Sequence, residues 1–206
     1  MKKLVLALAA AAALCGAGAA SAQTAYGQIG TTGLTLGYAH HFSNFNLRGD
    51  INFLDYSRNF DAGSVKYDGK LKFSSVGLFA DYFVASQFRL TGGLFLGRDK
   101  INARGVAKPG SDVLPGEWVE GEIRSKDVRP YLGIGWGFGP QAGKGLSFAA
   151  DLGASYGAYS TDYKVSPGMQ AYWGNDRVQK ERRELDDEVS KYKWYPVIRI
   201  GATYRF

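Results

Sequence analysis

Seven charged side chains sit at alternate positions in segments whose intervening residues are largely apolar: Arg48, Asp50, Asp81, Arg89, Arg129, Asp151 and Arg199. On a strand, a period of two puts such residues on one face and their apolar neighbours on the other. Four bases and three acids nearly cancel. Charges collected on one buried face must be paired, or each costs several kcal/mol. Two kinds of chemistry follow. The groups form an internal ion-pair network that fixes a closed interior, or they line a path for an ion or small solute.

A second cluster is His41-Phe42-Ser43-Asn44. A serine next to a histidine can act as a nucleophile if an acid orients the base, and Asp50 or Asp55 would have to serve. The pattern H-x-S-N resembles the active-site motif of outer-membrane lipid A deacylases, which are themselves eight-stranded barrels. The resemblance implies His41 as base, Ser43 as nucleophile and Asn44 as oxyanion helper. It covers four residues only. In those enzymes the motif lies late in the chain and faces lipid, whereas here it lies early, in a tight turn. Ser-Asn is ordinary turn chemistry. His40 and His41 point to opposite faces of a strand and do not suit a shared metal. Gly133-Ile134-Gly135-Trp136-Gly137 reads as a strand with small residues on one face, not as the strand-to-helix turn of a phosphate fingerprint. The expectation is a protein that is not an enzyme, with no catalytic residues, metal or cofactor.

The elements that must position the charges are strands in pairs. Leu34 to Phe42 and Phe45 to Tyr56 flank Ser43-Asn44. Lys70 to Phe83 and Phe88 to Gly97 flank Ala85-Ser86. Val128 to Phe138 and Leu146 to Gly157 flank Gly139 to Gly145. Trp194 to Phe206 closes the chain. Longer polar segments at 57–69, 98–127 and 158–193 read as loops. Alternation sends Phe45, Leu47, Gly49, Ile51 and Phe53 outward, and Asn46, Arg48, Asp50 and Asn52 inward. Phe88, Leu90, Leu94 and Leu96 point out, with Arg89, Thr91 and Gly93 in. Leu132, Ile134, Trp136 and Phe138 point out, with Arg129 and Tyr131 in. Phe148, Leu152 and Tyr156 point out, with Ser147, Asp151 and Ser155 in. The phase slips near Ser74-Ser75, as at a bulge.

Short and long connections alternate as in bacterial transmembrane barrels, with short turns at the periplasm and long loops outside. Only a closed barrel satisfies every strand's backbone groups in lipid. Seven strands are clear, and an even number is expected. The first must then lie in Thr24 to Gly30, with Gly30 to Gly33 as an outer turn. The fold class is therefore all-β, an eight-stranded antiparallel transmembrane β-barrel, with a short helix over 176–191 in the last long loop. Val178, Leu185, Val189 and Tyr192 form that helix's stripe, and Asn175 or Asp176 can cap it. The helix is either solvated outside or folded into the barrel mouth. Aromatic girdles are read at Tyr38, Phe42, Phe45, Tyr82, Phe83, Phe88, Trp136, Phe138 and Phe206 on one side, and at Tyr56, Trp194 and Tyr195 on the other.

The first segment supports the location. Lys2-Lys3, the apolar run Leu4 to Leu14 and Ala20-Ser21-Ala22 read as a secretory signal peptide over 1–22, cleaved after Ala22. Cys15 leaves with it, so the domain over 23–206 has no cysteine. The net charge of +6 falls to about +4 once the two lysines are gone, an unspecific value with a lean toward anionic headgroups. Mean hydropathy is negative, at -0.21. That argues against membrane helices but not against a barrel, whose alternation hides its apolar face. The 28 glycines suit an inward face that must make room for larger side chains.

The ending Gly201-Ala202-Thr203-Tyr204-Arg205-Phe206 resembles the last strand of small outer-membrane barrels such as outer membrane protein A. Val76 to Phe83 and Tyr131 to Gly137 are similar to strands of the Gram-negative outer-membrane β-barrel domain family. The resemblance implies location in the outer membrane. It implies recognition of Tyr204 and Phe206 by the barrel assembly machinery, with periplasmic chaperones on the way, and contact with lipid and lipopolysaccharide. It implies no nucleic acid and no cofactor. A monomeric structural or interaction barrel with a closed lumen is expected. A narrow channel or hydrophobic-solute carrier like outer membrane protein W is the alternative, and a deacylase-like enzyme the third reading.

Overall fold

A computed structural model describes residues 23–62, 65–108, 116–139 and 143–206. The export signal read over 1–22 lies outside the described residues. Among the described residues, eleven strands form one antiparallel sheet. They are β1 (Gln23–Gly30), β2 (Gly33–His41), β3 (Phe45–Ala62), β4 (Val65–Ala85), β5 (Phe88–Gly97), β6 (Lys100–Ala107), β7 (Trp118–Ser125), β8 (Val128–Trp136), β9 (Gly145–Tyr156), β10 (Tyr159–Val165) and β11 (Trp194–Arg205). Two helices, α1 (Pro167–Trp173) and α2 (Asn175–Ser190), precede β11.

The ladders close on themselves. Pairing runs β1–β2–β3–β4–β5–β8–β9–β11 and returns from β11 to β1. The short residue run before the first clear hairpin is the piece that completes this ring. Thr24 to Gly30 faces Arg205 to Arg199 on one side, and Ala39 to Gly33 on the other. Closure removes the open edges that unpaired strands would present. Gly33, at φ +90°, supplies the left-handed backbone that the turn into β2 requires.

Three segments read as loops contain paired strands among their described residues. The run 57–69 continues the β3–β4 hairpin, with Ser57 opposite Lys70 and Asp61 opposite Lys66. The run 98–127 contains β6 and β7, and 158–193 contains β10 before the helices. β6 pairs with the first half of β4, β7 with β6, and β10 with β7. Together they make a platform continuous with the ring at β4. Charged and polar residues recur on both faces there, as in Arg58, Asp61, Lys66 and Asp68, so the apolar alternation that marks the ring is missing. The slip read at Ser74-Ser75 is also corrected. β4 stays in register with β3 through both serines and only changes its other partner, from β6 up to Lys72 to β5 from Ser75. The irregularity lies further on, between Phe83 and Ala85.

Outward faces carry exposed apolar side chains around the ring, including Leu36, Leu47, Leu78, Leu90, Leu132, Leu152 and Ile198. Among the described residues, no helix is long and apolar enough to cross a membrane. Three residues placed in the aromatic girdles turn inward instead. Phe138 is buried, and Phe83 packs against it in the cluster that includes Tyr26 and Ala39. Tyr195 packs on the inner cluster of Phe79, Phe95, Tyr131 and Val197. Phe138 departs from strict alternation because β8 ends at Trp136. Gly137 and Phe138 then take positive φ values of 95° and 62°, which swings the ring side chain into the interior.

Helix α2 packs on β10 and α1. Val178, Leu185 and Val189 are half-buried on one stripe. Gly174 precedes α2 with no side-chain cap, in place of the capping expected from Asn175 or Asp176. Thr161 donates to the Asp186 carboxylate at 2.9 Å. Asp162 of β10 is ringed by Lys164 at 2.9 Å, Arg124 at 3.7 Å and Arg182 of α2 at 3.8 Å. The hydrogen bond from Lys164 holds the Asp162 carboxyl below its ordinary value of 3.8, and the two arginines add to this. A carboxyl depressed in the folded state stabilises above its unfolded value, and that contribution is lost as pH falls through the folded value. Amide exchange protection in α2 and β10 should therefore hold from pH 7 down to about 4 and decline below it.

Inward glycines face the largest interior side chains. A Cβ at Gly135 would stand 2.5 Å from Cζ of Arg89, whereas one at Gly49, on the outer face, would lie 3.8 Å from the Leu78 side chain. Gly135→Val should cost about 1–3 kcal/mol or more by overpacking. Gly49→Ala should stay within about 0.5 kcal/mol. Urea unfolding in lipid vesicles, followed by tryptophan fluorescence, measures both.

Candidate functional site

The interior of the ring is a layered plug. Its middle layer is built from Arg48 and Asp50 of β3, Asp81 of β4, Arg89 of β5, Asp151 of β9 and Arg199 of β11. Their side chains are fully buried. Arg48 reaches Asp81 at 2.6 Å through Nε and Asp151 at 3.1 Å through Nη2. Arg89 reaches Asp151 at 2.6 Å and Asp81 at 3.3 Å. Arg199 reaches Asp50 at 3.0 Å and Asp151 at 3.6 Å. Three bases meet three acids, so the layer is neutral.

Neutral partners add hydrogen bonds to the three acids. The Tyr26 hydroxyl donates to Asp50 at 2.9 Å, and Gln28 donates to Asp151 at 2.8 Å. Asn52 donates to Asp50 at 2.8 Å, and Thr91 to Asp81 at 2.7 Å. Sequence reading did not pick out Tyr26, Gln28 or Thr91 as members of this network. Their one signal was position, since Tyr26 and Gln28 alternate with small or apolar residues on β1.

Aromatic rings close the layer above and below. On the side of the Ser43-Asn44 turn, Phe138 packs edge-to-face on Tyr26 at 4.9 Å. The Arg48 and Arg89 guanidiniums lie over the Phe138 ring at 4.9 and 4.8 Å. On the other side Phe79, Phe95 and Tyr131 form an edge-to-face triangle with centroids 5.2 to 5.6 Å apart. Arg199 lies 5.1 Å over Phe79. Such stacking is favourable for cations that have lost their water.

Arg129, read with the lumen charges, does not join them. It is buried further along the ring and pairs with Asp99, beyond the aromatic triangle. The His41-Ser43-Asn44 cluster does not assemble as a triad. The His41 ring is buried, with Nε2 at 2.7 Å from the Thr24 hydroxyl and Nδ1 at 2.8 Å from the Asn46 side chain. Ser43 and Asn44 are exposed in the turn. Neither Asp50 nor Asp55 is among the partners of His41: Asp50 binds Tyr26, Asn52 and Arg199, and Asp55 is exposed. Among the described residues, no group of three or more His, Cys, Asp or Glu is placed to hold a metal.

The fold is shared with outer-membrane β-barrel proteins of known structure. CarO from Acinetobacter baumannii is 19% identical over 89% of this chain and 97% of that one, with a TM-score of 0.61. CarO2 from the same organism is 18% identical over 92% and 100%, also at 0.61. A major outer membrane protein from Thermus thermophilus is 15% identical over 90% and 100%, at 0.50. At these identities the likeness is one of fold. No protein-family model matches the chain, and no curated protein matches it.

Asp151 touches all three network arginines, so Asp151→Asn leaves buried cations short of an anion. It should destabilise the folded protein by about 3–5 kcal/mol. Asp61→Asn, which breaks an exposed pair with Lys108 at 3.3 Å, should change stability by less than about 0.5 kcal/mol. Urea titration of vesicle-inserted protein compares the two.

Proposed function

We propose that this chain is an exported, eight-stranded transmembrane barrel of the bacterial outer membrane with a closed lumen. It acts as a structural or interaction protein that presents the β6–β7–β10 platform and α2 at the cell surface. The observation that carries this reading is the filled interior. A neutral layer of three arginines and three aspartates lies between two aromatic layers, with every member of the charge layer fully buried. An eight-stranded barrel is just wide enough for its side chains to fill. A conducting path would need hydrated charges, and these are bonded to one another.

The surrounding belt of exposed leucine, isoleucine and valine supports lipid as its solvent, since a soluble monomer rarely exposes so large an apolar area. In this orientation the Ser43-Asn44 and Ala85-Ser86 turns face the periplasm, and the platform faces outward. Tyr204 and Phe206, exposed and packed edge-to-face at 5.3 Å, then stand on the lipid side at the periplasmic rim. They are the residues that the assembly machinery would read. Lipid and lipopolysaccharide are the immediate partners, and the role is non-enzymatic and monomeric.

Reconstitution into planar bilayers tests the closed lumen. Folded protein, identified by its heat-modifiable gel mobility, should give no discrete and reproducible current steps. Openings of that kind would overturn the closed-lumen reading in favour of a narrow channel.

A further inference from the structure

We propose that the cavity between the outer rim of the ring and the platform is a binding site for a small uncharged apolar molecule. The cavity measures about 310 Å³, at the lower end of the size range of small-molecule sites. Its floor is Phe73 and Tyr195, in edge-to-face contact at 6.4 Å. Ile101 and Ile123 of the platform form the walls, and Val189 of α2, Trp194 and Pro196 add to the lining. The site therefore exists because three separate pieces of chain meet there: the ring, the platform sheet and the helix.

A buried ion pair interrupts this largely apolar lining, to which Tyr159 and Tyr192 also contribute. Arg129 and Asp99 form an ion pair at the cavity, with side chains only 5% and 15% exposed. The Asp99 carboxylate also accepts the Ser74 backbone N–H at 3.3 Å. The Arg129 guanidinium lies 5.6 Å over the Phe95 ring.

The charge balance sets the ligand class. Arg129 and Asp99 already neutralise each other. A carboxylate would bring a second anion beside Asp99, and an ammonium a second cation beside Arg129. Either would be desolvated among aromatic and aliphatic walls without a partner of its own. A neutral molecule of single-ring size meets neither penalty. The site lies beyond the Phe79–Phe95–Tyr131 triangle, so its occupancy and the conductance of the lumen are separate properties and can fail separately.

Fluorine NMR on protein in lipid nanodiscs tests the assignment with three probes of one shape: 4-fluoroacetophenone, 4-fluorobenzoate and 4-fluorobenzylammonium. The ketone should show a saturable shift with protein that is missing in empty nanodiscs, and both ions should bind at least about tenfold more weakly. Ile123→Trp and Ile101→Trp fill the cavity from different strands, and each should weaken the ketone by about tenfold or more. Leu90→Trp, on the outward face of the ring, should leave it unchanged. Gel mobility identifies the folded variants, and two filling positions keep the test standing if one fails to fold. A ketone shift equal to that of empty nanodiscs, one unaffected by filling the cavity, or an ion that binds as tightly as the ketone would overturn the proposal.

Discussion

The structure depends on a ring too narrow to hold water around the charges it encloses. Arginine and aspartate side chains that point inward must find each other, because no solvent is available to screen them. Asp151 meets Arg48, Arg89 and Arg199 together, so strands β3, β5, β9 and β11 are tied through one carboxylate. The backbone ladder sets which strands are neighbours. The charge layer sets the relative height of the strands that carry it, since a shift by two residues on β3, β4, β5, β9 or β11 would separate an ion pair while leaving the ladder able to form.

The aromatic layers answer a second demand of the same geometry. A guanidinium keeps little hydration in this interior, and the faces of Phe138, Phe79 and Tyr26 stand where water would. Glycine on neighbouring strands supplies the volume. Gly77 lies against Asp50 and Phe79, and Gly135 against Arg89. Large and small inward residues are thus matched across strands, which is how a tube of fixed diameter is filled without strain.

Much of the ring was legible in the sequence because its two faces differ so strongly. Where Leu47, Arg48, Gly49, Asp50 and Ile51 alternate, phase alone tells which residues share the interior, and six of the seven charges chosen that way meet in one layer. Arg129 sits on the inward face as read, but distance along the strand separates it from the others, and alternation carries no information about height. The platform was illegible for the opposite reason. With both of its faces polar, the period-two signal vanishes and paired strands look like loops. Phe138 was misplaced because backbone twist at Gly137 overrides alternation, and nothing in side-chain type announces a positive φ at phenylalanine. Lining of the mouth cavity could not be read at all, since its residues come from segments that meet only in the folded chain.

β4 belongs to two structures at once. Its 21 residues run without interruption from the platform into the wall of the ring, pairing with β6 in the first part and β5 in the second. There is no hinge between the platform and the wall of the ring. A load applied to the platform along this strand is carried as shear across many parallel hydrogen bonds, rather than peeling them one at a time. The platform is in this sense a mechanical extension of the ring, and its tilt is inherited from the tilt of the wall.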